Sequence, residues 1–565
     1  MRRLRQLSAA VALTASAALV LSGCGGSSSS GNGGGKGTAA SAVTNQVNPV
    51  DRSKLTQGGD LRWALGQIPA NYNYNELDGT LQDNAQVMLA LLPSAFDSKP
   101  DASQVVNKDY FDKIELTGKS PQTVEYDINP KATWSDGKPI SADDLIAQWK
   151  ALNGTNKAFN VSSTTGYDQI ADVKQGSSAK QAIVTFKNPY ADWQALYSPL
   201  YPASTNNDPN VFNTGWINKP LQTAGPFMVQ SIDKTAQTIT LARDPKWWGD
   251  KAVLDRIIFR AIDLDAQIDA LANGEIDFID VGPDVNNMKR AQGISGVEIR
   301  RAGGPNFRHI TFNGQSPMLK DVNVRQAIAK AIDRQTIADA MVGPLGGDHH
   351  KLDNHIFMRN QLGYQDNAGD LSTPDIKGAN DQLEKAGWTR TGDTGTRTKD
   401  GKPLQINFVI PSGVATSAQE SQLVQGMLEK IGVKVNIQTV PTDGFFDKYI
   451  TPGNFDLTVF SWIGTPFPIS SSSSIYANPQ GSDIQQNYAR VGSQQIDDLF
   501  DQATHELDPA KARDLANQAD KLIWQEVHSI TLYQRPDIVA AKKTLANYGA
   551  LGFATAKYQD IGFTK

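Results

Sequence analysis

Cysteine is almost absent from this chain, because its 565 residues include only one, Cys24. A lone thiol has no disulfide partner within the chain, and it cannot form a metal site that needs several cysteines. After the amino-terminal segment the sequence also lacks any apolar run of 18 residues. It therefore predicts no further membrane-spanning helix.

Motifs typical of enzymes and of nucleic-acid-binding proteins are missing as well. The sequence has no GxSxG nucleophile motif, no HExxH zinc motif and no glycine-rich phosphate loop between a strand and a helix. Its aspartates and glutamates show no spacing typical of an acid/base pair, and the chain, with a formal charge of −5, has no strongly basic segment. The sequence therefore supports neither catalysis nor a cofactor, and it argues against a nucleic-acid partner.

One histidine cluster is a candidate metal site. Three of the six histidines, His349, His350 and His355, lie in the segment GDHHKLDNH. Imidazole and carboxylate groups together can bind Zn²⁺ or Ni²⁺. The alternative is a solvated surface loop flanked by glycine, and because adjacent histidines rarely point the same way, we favour the loop and predict no metal.

The amino terminus has the pattern of an export signal. Arg2, Arg3 and Arg5 precede an apolar segment from Leu7 to Leu21. This segment is shorter than the roughly 20 residues that a helix needs to cross a bilayer. The sequence therefore predicts a cleaved signal peptide over residues 1–23.

The sequence LSGC at residues 21–24 resembles a bacterial lipobox. This resemblance implies cleavage before Cys24 and attachment of a diacylglyceryl group to its sulfur; the alternative is an ordinary secretory signal with an incidental cysteine. Residues 24–57 begin with a Gly/Ser tract that cannot bury enough apolar surface to order itself. We expect the lipidated Cys24 and a flexible linker to hold the rest of the chain at the outer face of the cell membrane.

The remaining chain is too long for one hydrophobic core, which usually stops growing near 250–300 residues. Patterns of period 2 and period 3.6 alternate along it, which predicts α/β organisation in at least two lobes. Ser141 and Asp144 form a capping-box pattern, Asp321 begins a second helix, and Val433, Val435 and Ile437 alternate as in a strand.

Segments in a fixed order resemble the family 5 extracellular solute-binding proteins, the peptide and nickel receptors of ABC importers. The most specific is TVEYDINPKATWSDGKPISADDLIAQWK at residues 123–150, with a strand, a Trp-Ser-Asp-Gly turn and a capped helix. The others are GGDLRWALGQIPANYNYNELDG, TAGPFMVQ, LARDPKWWGDKAVLDRIIF, NGEIDFID, FNGQSPMLKDVNVRQAIAKAID, LEKAGW, LEKIGVKVNI and FDLTVFSW.

This resemblance implies a two-lobed α/β fold of the periplasmic-binding-protein type II (Venus-flytrap) class, with an additional domain and a hinge between the lobes. Lobe I is expected to contain residues 58–82, 215–306 and 530–565. The additional domain is expected at 83–214 and lobe III at 307–529.

The resemblance also implies candidate ligand-binding residues. Main-chain groups of Ser461, Trp462 and Ile463 are expected to hold the ligand backbone. Three residues after the tryptophan, peptide receptors of the family have an aspartate that binds the peptide amino terminus, and this chain has Thr465. Asp280 is our candidate replacement, although it is also placed to cap a turn. Thr465 is kept in the predicted set.

Two other stretches resemble ligand contacts of the family. Phe307, Arg308 and His309 enter lobe III, and the alternative for them is the core face of a strand. The loop after the first strand contributes four further candidates, Tyr72, Asn73, Tyr74 and Asn75.

The function implied is that of a monomeric extracellular lipoprotein that captures oligopeptides and delivers them to an ABC permease. Within the same transport role, the ligand could instead be an oligosaccharide, a metal chelate or another small solute. A surface hydrolase with a carboxylate pair is the less favoured alternative.

Overall fold

The structure is a computed structural model, and it describes residues 45–390, 392 and 394–565. The predicted signal peptide, Cys24 and most of the predicted linker lie outside the described residues. No helix in these described ranges combines the length and the apolar character needed to cross a bilayer.

The strands are numbered along the described chain. They are β1 (Leu55–Thr56), β2 (Asp60–Leu65), β3 (Phe96–Ser98), β4 (Gln104–Val106), β5 (Phe111–Lys119), β6 (Gln122–Ile128), β7 (Ile170–Gln175), β8 (Gln181–Phe186), β9 (Phe227–Asp233), β10 (Thr238–Arg243), β11 (Arg256–Ala261), β12 (Phe278–Asp280), β13 (Val297–Phe312), β14 (Thr398–Lys399), β15 (Lys402–Pro403), β16 (Gln405–Pro411), β17 (Lys434–Val440), β18 (Leu457–Ile463), β19 (Ser529–Lys542), β20 (Leu545–Ala546) and β21 (Gly562–Thr564).

The α-helices are numbered in the same way. They are α1 (Gln82–Met88), α2 (Ala142–Leu152), α3 (Ala203–Asn206), α4 (Pro209–Thr214), α5 (Leu264–Ala272), α6 (Val285–Gln292), α7 (Val322–Ala331), α8 (Arg334–Met341), α9 (Ile376–Lys385), α10 (Ala415–Glu429), α11 (Pro468–Tyr476), α12 (Gln494–His505) and α13 (Pro509–Glu526).

One ten-stranded sheet runs through the molecule in the order β17-β16-β18-β13-β19-β12-β2-β11-β10-β9. Its centre is the antiparallel pair of its two longest strands, β13 and β19, which pair from Val297 with Lys542 to Thr311 with Ser529. β12 joins β19 near the carboxyl end of β19, whereas β18 joins β13 near the carboxyl end of β13. The two halves of the sheet are therefore attached at opposite ends of the central pair.

The central pair is interrupted between Gly303 and Phe307, where its register shifts. A side chain at Gly304 would bring a Cβ within 2.6 Å of the Arg535 carbonyl oxygen. Only glycine allows such a close approach of two backbones. We call this interruption the strand crossing, and it marks the point where the chain passes from one half of the sheet to the other.

Each half of the sheet has its own hydrophobic core. The larger core includes Trp63, Tyr126 and Phe259, and the second includes Phe408 and Leu428. This arrangement agrees with the expectation that the chain is too long for one core.

A separate four-stranded sheet, in the order β5-β6-β8-β7, packs with α2 inside the larger core. The predicted capping box of α2 is present, because Asp144 accepts a hydrogen bond from the Ser141 amide at 2.8 Å. Asp321 caps α7 as predicted, with its side chain accepting from the Asn323 amide. Gly137 lies in the predicted turn with a φ of +85°.

Candidate functional site

The carboxyl end of β18 lies beside the strand crossing. In the pairing of β18 with β13, Ser461 lies opposite Arg308 and Trp462 opposite Phe307. The next residue, Ile463, is 75% exposed although it is large and apolar. The predicted ligand-binding segment therefore ends β18 at the junction of the two halves of the sheet.

A buried ion pair lies on one face of the sheet at the strand crossing. The Arg308 guanidinium donates to both carboxylate oxygens of Glu420 on α10, and its Nη2 donates to Ser417 Oγ at 3.0 Å. Tyr533 on β19 donates to Glu420 Oε1 at 2.7 Å. Burial lowers the pKa of Arg308, but the charge and hydrogen bonds of Glu420 outweigh it and the net shift is upward. The ion pair thus joins β13, β19 and α10.

Three further charged side chains follow the ion pair on or beside β19. Arg535 and Asp537 occupy alternate positions after Tyr533 and so share its face. Asp280 ends β12 and pairs with Val539, which lies two residues after Asp537, so Asp280 lies on the same face of the sheet. We call Arg308, Arg535, Asp537 and Asp280 the polar row.

Burial acts against the charged forms in the polar row. It raises the pKa of Asp280, and it raises the pKa of Asp537 to about 6, with repulsion from Asp280 adding to the effect. Burial lowers the pKa of Arg535, and repulsion from Arg308 lowers it further. Asp280 also accepts a hydrogen bond from the Gly282 amide at 2.9 Å, so it caps a turn. Part of its side chain still reaches solvent, so the burial that raises its pKa is only partial. The polar row can bind a ligand that brings complementary charges.

Ser461 lies between the two arginines of the polar row. Its hydroxyl oxygen is 3.5 Å from both Arg308 Nη1 and Arg535 Nη1. Ser461 is half-buried, so it is the point where β18 meets the polar row.

The opposite face of β13 and β18 is aromatic. The Trp462 ring stacks with Tyr488 at 5.8 Å and with His309 at 5.8 Å, and Phe460 packs edge-on against both Trp462 and His309. His309 is buried, and burial lowers its pKa well below the usual value, so the imidazole is neutral. Phe307 is also buried in this wall, whereas Trp462 is only half-buried.

Beyond β18 the chain forms one wall of a cavity of about 440 Å³. The Thr465 carbonyl accepts from Gln361 at 2.9 Å, and its hydroxyl donates to Ser471 at 3.1 Å. The cavity lies between segments 101–104 and 191–194 on one side and 466–469 on the other. Thr465 immediately precedes the lining residues 466–469 and is held beside the cavity by its hydrogen bonds with Gln361 and Ser471.

The sequence profile of the bacterial extracellular solute-binding proteins, family 5 Middle, matches residues 117–484. The chain belongs to this family. This family 5 protein is 42% identical to the oligopeptide-binding protein OppA of Mycobacterium tuberculosis over 554 residues, which cover 97% of this chain and 92% of the relative.

Solved structures show the same fold. A periplasmic EDTA-binding protein, EppA, matches with a TM-score of 0.80 and 27% identity, covering 92% of this chain and 98% of the other. The oligopeptide-binding protein AppA of Bacillus subtilis, in complex with a nonapeptide, matches with a TM-score of 0.67 and 20% identity, covering 91% of this chain and all of the other. The family 5 protein therefore has the predicted two-lobed type II fold with an additional domain and a hinge between the lobes.

Two predicted ligand-binding residues of the family 5 protein lie in the scaffold instead. Tyr72 is 1% exposed, and its carbonyl accepts a hydrogen bond from the Tyr201 hydroxyl at 2.8 Å. Asn73 is fully buried and donates to the Phe212 carbonyl at 2.9 Å. Because long-range contacts from residues 201–213 cover this part of the loop, we do not retain Tyr72 and Asn73 in the site.

The other two residues of that loop are partly accessible. Tyr74 lines a second cavity of about 270 Å³, which shares Phe467 with the first. The Asn75 carbonyl accepts from the Ser162 amide at 3.0 Å, and Asn75 is half-buried. Tyr74 therefore lies next to a space that a ligand group can enter, and Asn75 is not among the residues that line this second cavity.

Two of the three clustered histidines of the family 5 protein lie side by side, because the His349 and His350 rings stack with their centroids 5.9 Å apart, against the expectation that adjacent histidines point apart. His349 and His350 are exposed, whereas His355 is buried with Nδ1 on Asp520 at 2.7 Å and Nε2 on the Ser529 carbonyl at 3.0 Å. Both ring nitrogens of His355 are thus occupied. Within the described ranges, no group of three or more His, Cys, Asp or Glu side chains is arranged to hold a metal ion.

Sequence reasoning missed four residues of this site: Glu420, Tyr488, Arg535 and Asp537. Arg535 and Asp537 continue the strand that begins with SITLY, and their alternation with its apolar residues is a signal that was available. Glu420 and Tyr488 approach from distant segments, and no local pattern marks them.

The first prediction concerns the ion pair. Glu420→Gln leaves the Arg308 guanidinium buried without its counter-charge, so we expect the free energy of unfolding to fall by about 3–5 kcal/mol in urea denaturation. Glu429→Gln, at an exposed position of the same helix, is the matched control and should change it by less than about 0.5 kcal/mol. Equal stability of the two variants would contradict the structural role of the pair.

The second prediction concerns Asp537. Because its folded pKa of about 6 exceeds the unfolded value of about 3.9, the folded chain binds the proton more tightly. The contribution of Asp537 to the free energy of unfolding is fully present below about pH 4 and is lost as the pH rises to about 6. In urea denaturation the free energy of unfolding of the parent protein should therefore decrease by about 1–3 kcal/mol more than that of Asp537→Asn across this pH range. Asp172→Asn, at an exposed position of β7, is the control, and its stability should depend on pH as that of the parent protein does. If the stability of Asp537→Asn shows the same pH dependence, the raised pKa is not that of Asp537.

Proposed function

We propose that this chain is the substrate-binding lipoprotein of an ABC importer and that it captures oligopeptides between its two lobes. The observation that carries the proposal is the position of β18, which ends at the strand crossing with an exposed apolar residue beside Trp462 and the polar row. The similarity to a protein named as oligopeptide-binding, over 97% of this chain, supports the peptide class.

In this proposal the lobes follow the predicted boundaries. Lobe I contains residues 58–82, 215–306 and 530–565, lobe III contains 307–529, and residues 83–214 form the additional domain. The strand crossing is the hinge, because a few residues there can absorb the rotation that closes the lobes. The Ala191 amide donates to the Thr504 carbonyl at 2.8 Å, a contact between the additional domain and lobe III that supports a closed arrangement.

The proposed recognition has two parts. Main-chain groups of residues 461–463 bind the peptide backbone as an added strand does, which is independent of peptide sequence. Asp280 and Asp537 attract a ligand ammonium group, and Arg535 attracts a carboxylate. In this proposal the chain acts as a monomeric receptor, has no cofactor or catalytic activity, and passes its ligand unchanged to the permease subunits.

The proposed location is the outer face of the cell membrane. Residues 1–23 are the signal peptide in this proposal, and Cys24 carries the lipid anchor. Two acyl chains give a stable anchor, since each buried CH₂ contributes about 0.8 kcal/mol.

A metal chelate is the second candidate ligand. A specific observation favours it, since the EDTA-binding relative matches this fold with the higher TM-score of the two structures compared, 0.80 against 0.67. Arg535 would then face a carboxylate of the chelator.

The third prediction tests the peptide site. The full chain should bind penta-alanine in isothermal titration calorimetry without cleaving it. Ile463→Ser removes an exposed apolar contact at the site and should weaken binding about 10-fold. Leu264→Ser is the matched control, because Leu264 on α5 is also 75% exposed, and it should leave binding unchanged.

Other outcomes discriminate between the candidates. Binding of metal–EDTA but not of any peptide favours the chelate receptor. Cleavage of the peptide that is lost on changing one carboxylate favours the hydrolase. If the two serine variants bind penta-alanine equally, the site is not at the end of β18.

The fourth prediction tests the anchor. Cys24→Ser removes the sulfur that would carry the lipid, so the protein should move from the membrane fraction to the aqueous fraction when cells are fractionated. Ser27→Ala changes the adjacent tract without touching the cysteine and should stay with the membranes. Retention of the Cys24→Ser protein in the membrane fraction would show that another feature holds it there.

A further inference from the structure

The second cavity, of about 270 Å³, lies where the three proposed parts of the chain meet. Tyr74 and Thr555 line it from lobe I, Phe467 lines it from lobe III, and α1, β3 and residues 194–199 line it from the additional domain. Its volume is below the range of about 300–1,000 Å³ that is typical of sites for whole small molecules. The cavity therefore has the size for one part of a ligand rather than for all of it.

The wall of this cavity is mainly apolar. Met88, Leu92 and Phe96 line it and belong to the larger hydrophobic core, where each is less than 5% exposed. Leu89 lines it as well but is 46% exposed, so part of its apolar surface is open to a ligand. None of the described residues that line the cavity is charged. The wall therefore offers contact surface to an apolar group and no counter-charge to an ionic one.

The polar side chains in the wall are bonded to one another or to nearby main chain. Ser94 Oγ donates to Ser198 Oγ at 2.9 Å. Gln104 Nε2 donates to Ser98 Oγ at 2.8 Å, and Thr555 Oγ1 accepts from the Ser98 amide at 2.9 Å. A ligand group that enters the cavity therefore gains more from leaving water for apolar contacts than from new hydrogen bonds.

The cavity adjoins the proposed peptide site. It shares Gln104, Gln194 and Phe467 with the cavity of about 440 Å³ beyond β18. Phe467 lies four residues after Ile463. Because an extended chain advances at most about 3.6 Å per residue, the Cα atoms of these two residues lie within about 14 Å of each other. A peptide of about five residues that is held by residues 461–463 is therefore long enough to reach this cavity.

We propose that the second cavity receives one large apolar side chain of the bound peptide, such as leucine, isoleucine, methionine or phenylalanine. This inference rests on the proposed function and deepens it, because main-chain binding by residues 461–463 is independent of peptide sequence, whereas this cavity selects among sequences. An apolar side chain gains by leaving water there, whereas a charged one loses its hydration without gaining a counter-charge. The receptor therefore prefers peptides with an apolar residue beyond the segment held at β18.

Isothermal titration calorimetry on the full chain tests this preference. The probes are penta-alanine and the five peptides in which one of its alanines is replaced by leucine. At least one leucine peptide should bind at least about 10-fold more tightly than penta-alanine. Asparagine at the same position has a similar branched shape but is polar, so it should not give this gain.

A variant of the cavity wall locates the effect. Leu89→Gln replaces exposed apolar surface with an uncharged polar group, and it should lower the gain from leucine about 3- to 10-fold. Leu81→Gln is the matched control, because Leu81 directly precedes the same helix, is 36% exposed and is not among the residues that line the cavity.

Two results would overturn the proposal. They are equal affinity of penta-alanine and all five leucine peptides, and an equal gain from leucine in the Leu89→Gln and Leu81→Gln proteins. If penta-alanine binds while either result is found, the proposed transport role stands and only the assignment of the cavity fails. If none of the peptides binds, both fail.

Discussion

The antiparallel pairing of β13 with β19 is the constraint on which both lobes depend. The five strands β12, β2, β11, β10 and β9 reach the sheet only through β19, and the three strands β18, β16 and β17 reach it only through β13. The two strands are continuous, but their pairing is broken between Gly303 and Phe307. A second register shift follows between Arg308 and His309. In the proposed hinge, the break between Gly303 and Phe307 lets the two halves rotate while the hydrogen bonds on either side stay intact.

The buried ion pair beside this break limits how the rotation can occur. Arg308, Glu420 and Tyr533 come from β13, α10 and β19, so they tie a helix of the second core to both central strands. Breaking a buried pair leaves an uncompensated charge, which is strongly unfavourable. In the proposed hinge, the parts of β13 and β19 beside Arg308 and Tyr533 therefore move with α10, and the rotation is absorbed between Gly303 and Phe307.

Local features of the fold were predictable from the sequence, and the long-range arrangement of the site was predictable only in part. The caps at Ser141 and Asp321 and the turn at Gly137 depend on residues within a few positions of one another, and each is present. Arg308 was predicted by resemblance as a cleft residue, yet its partner Glu420 lies 112 residues away and carries no local signal. For the same reason the burial of Tyr72 was missed, since the covering residue, Tyr201, is 129 residues distant.

In the proposed site, the polar row favours a charged ligand through the energetics of buried charge. Burial raises the pKa of Asp280 and Asp537 and lowers that of Arg535, so each charged form is less stable there than in water. A ligand with an ammonium group and a carboxylate would supply the opposite charges and relieve this destabilisation. Asp280, Arg535 and Asp537 all lie in the proposed lobe I, so these contacts alone do not require closure. Since a ligand shifts a conformational equilibrium only by its difference in affinity for the two states, closure in this proposal depends on the contacts that residues 461–463 add from lobe III.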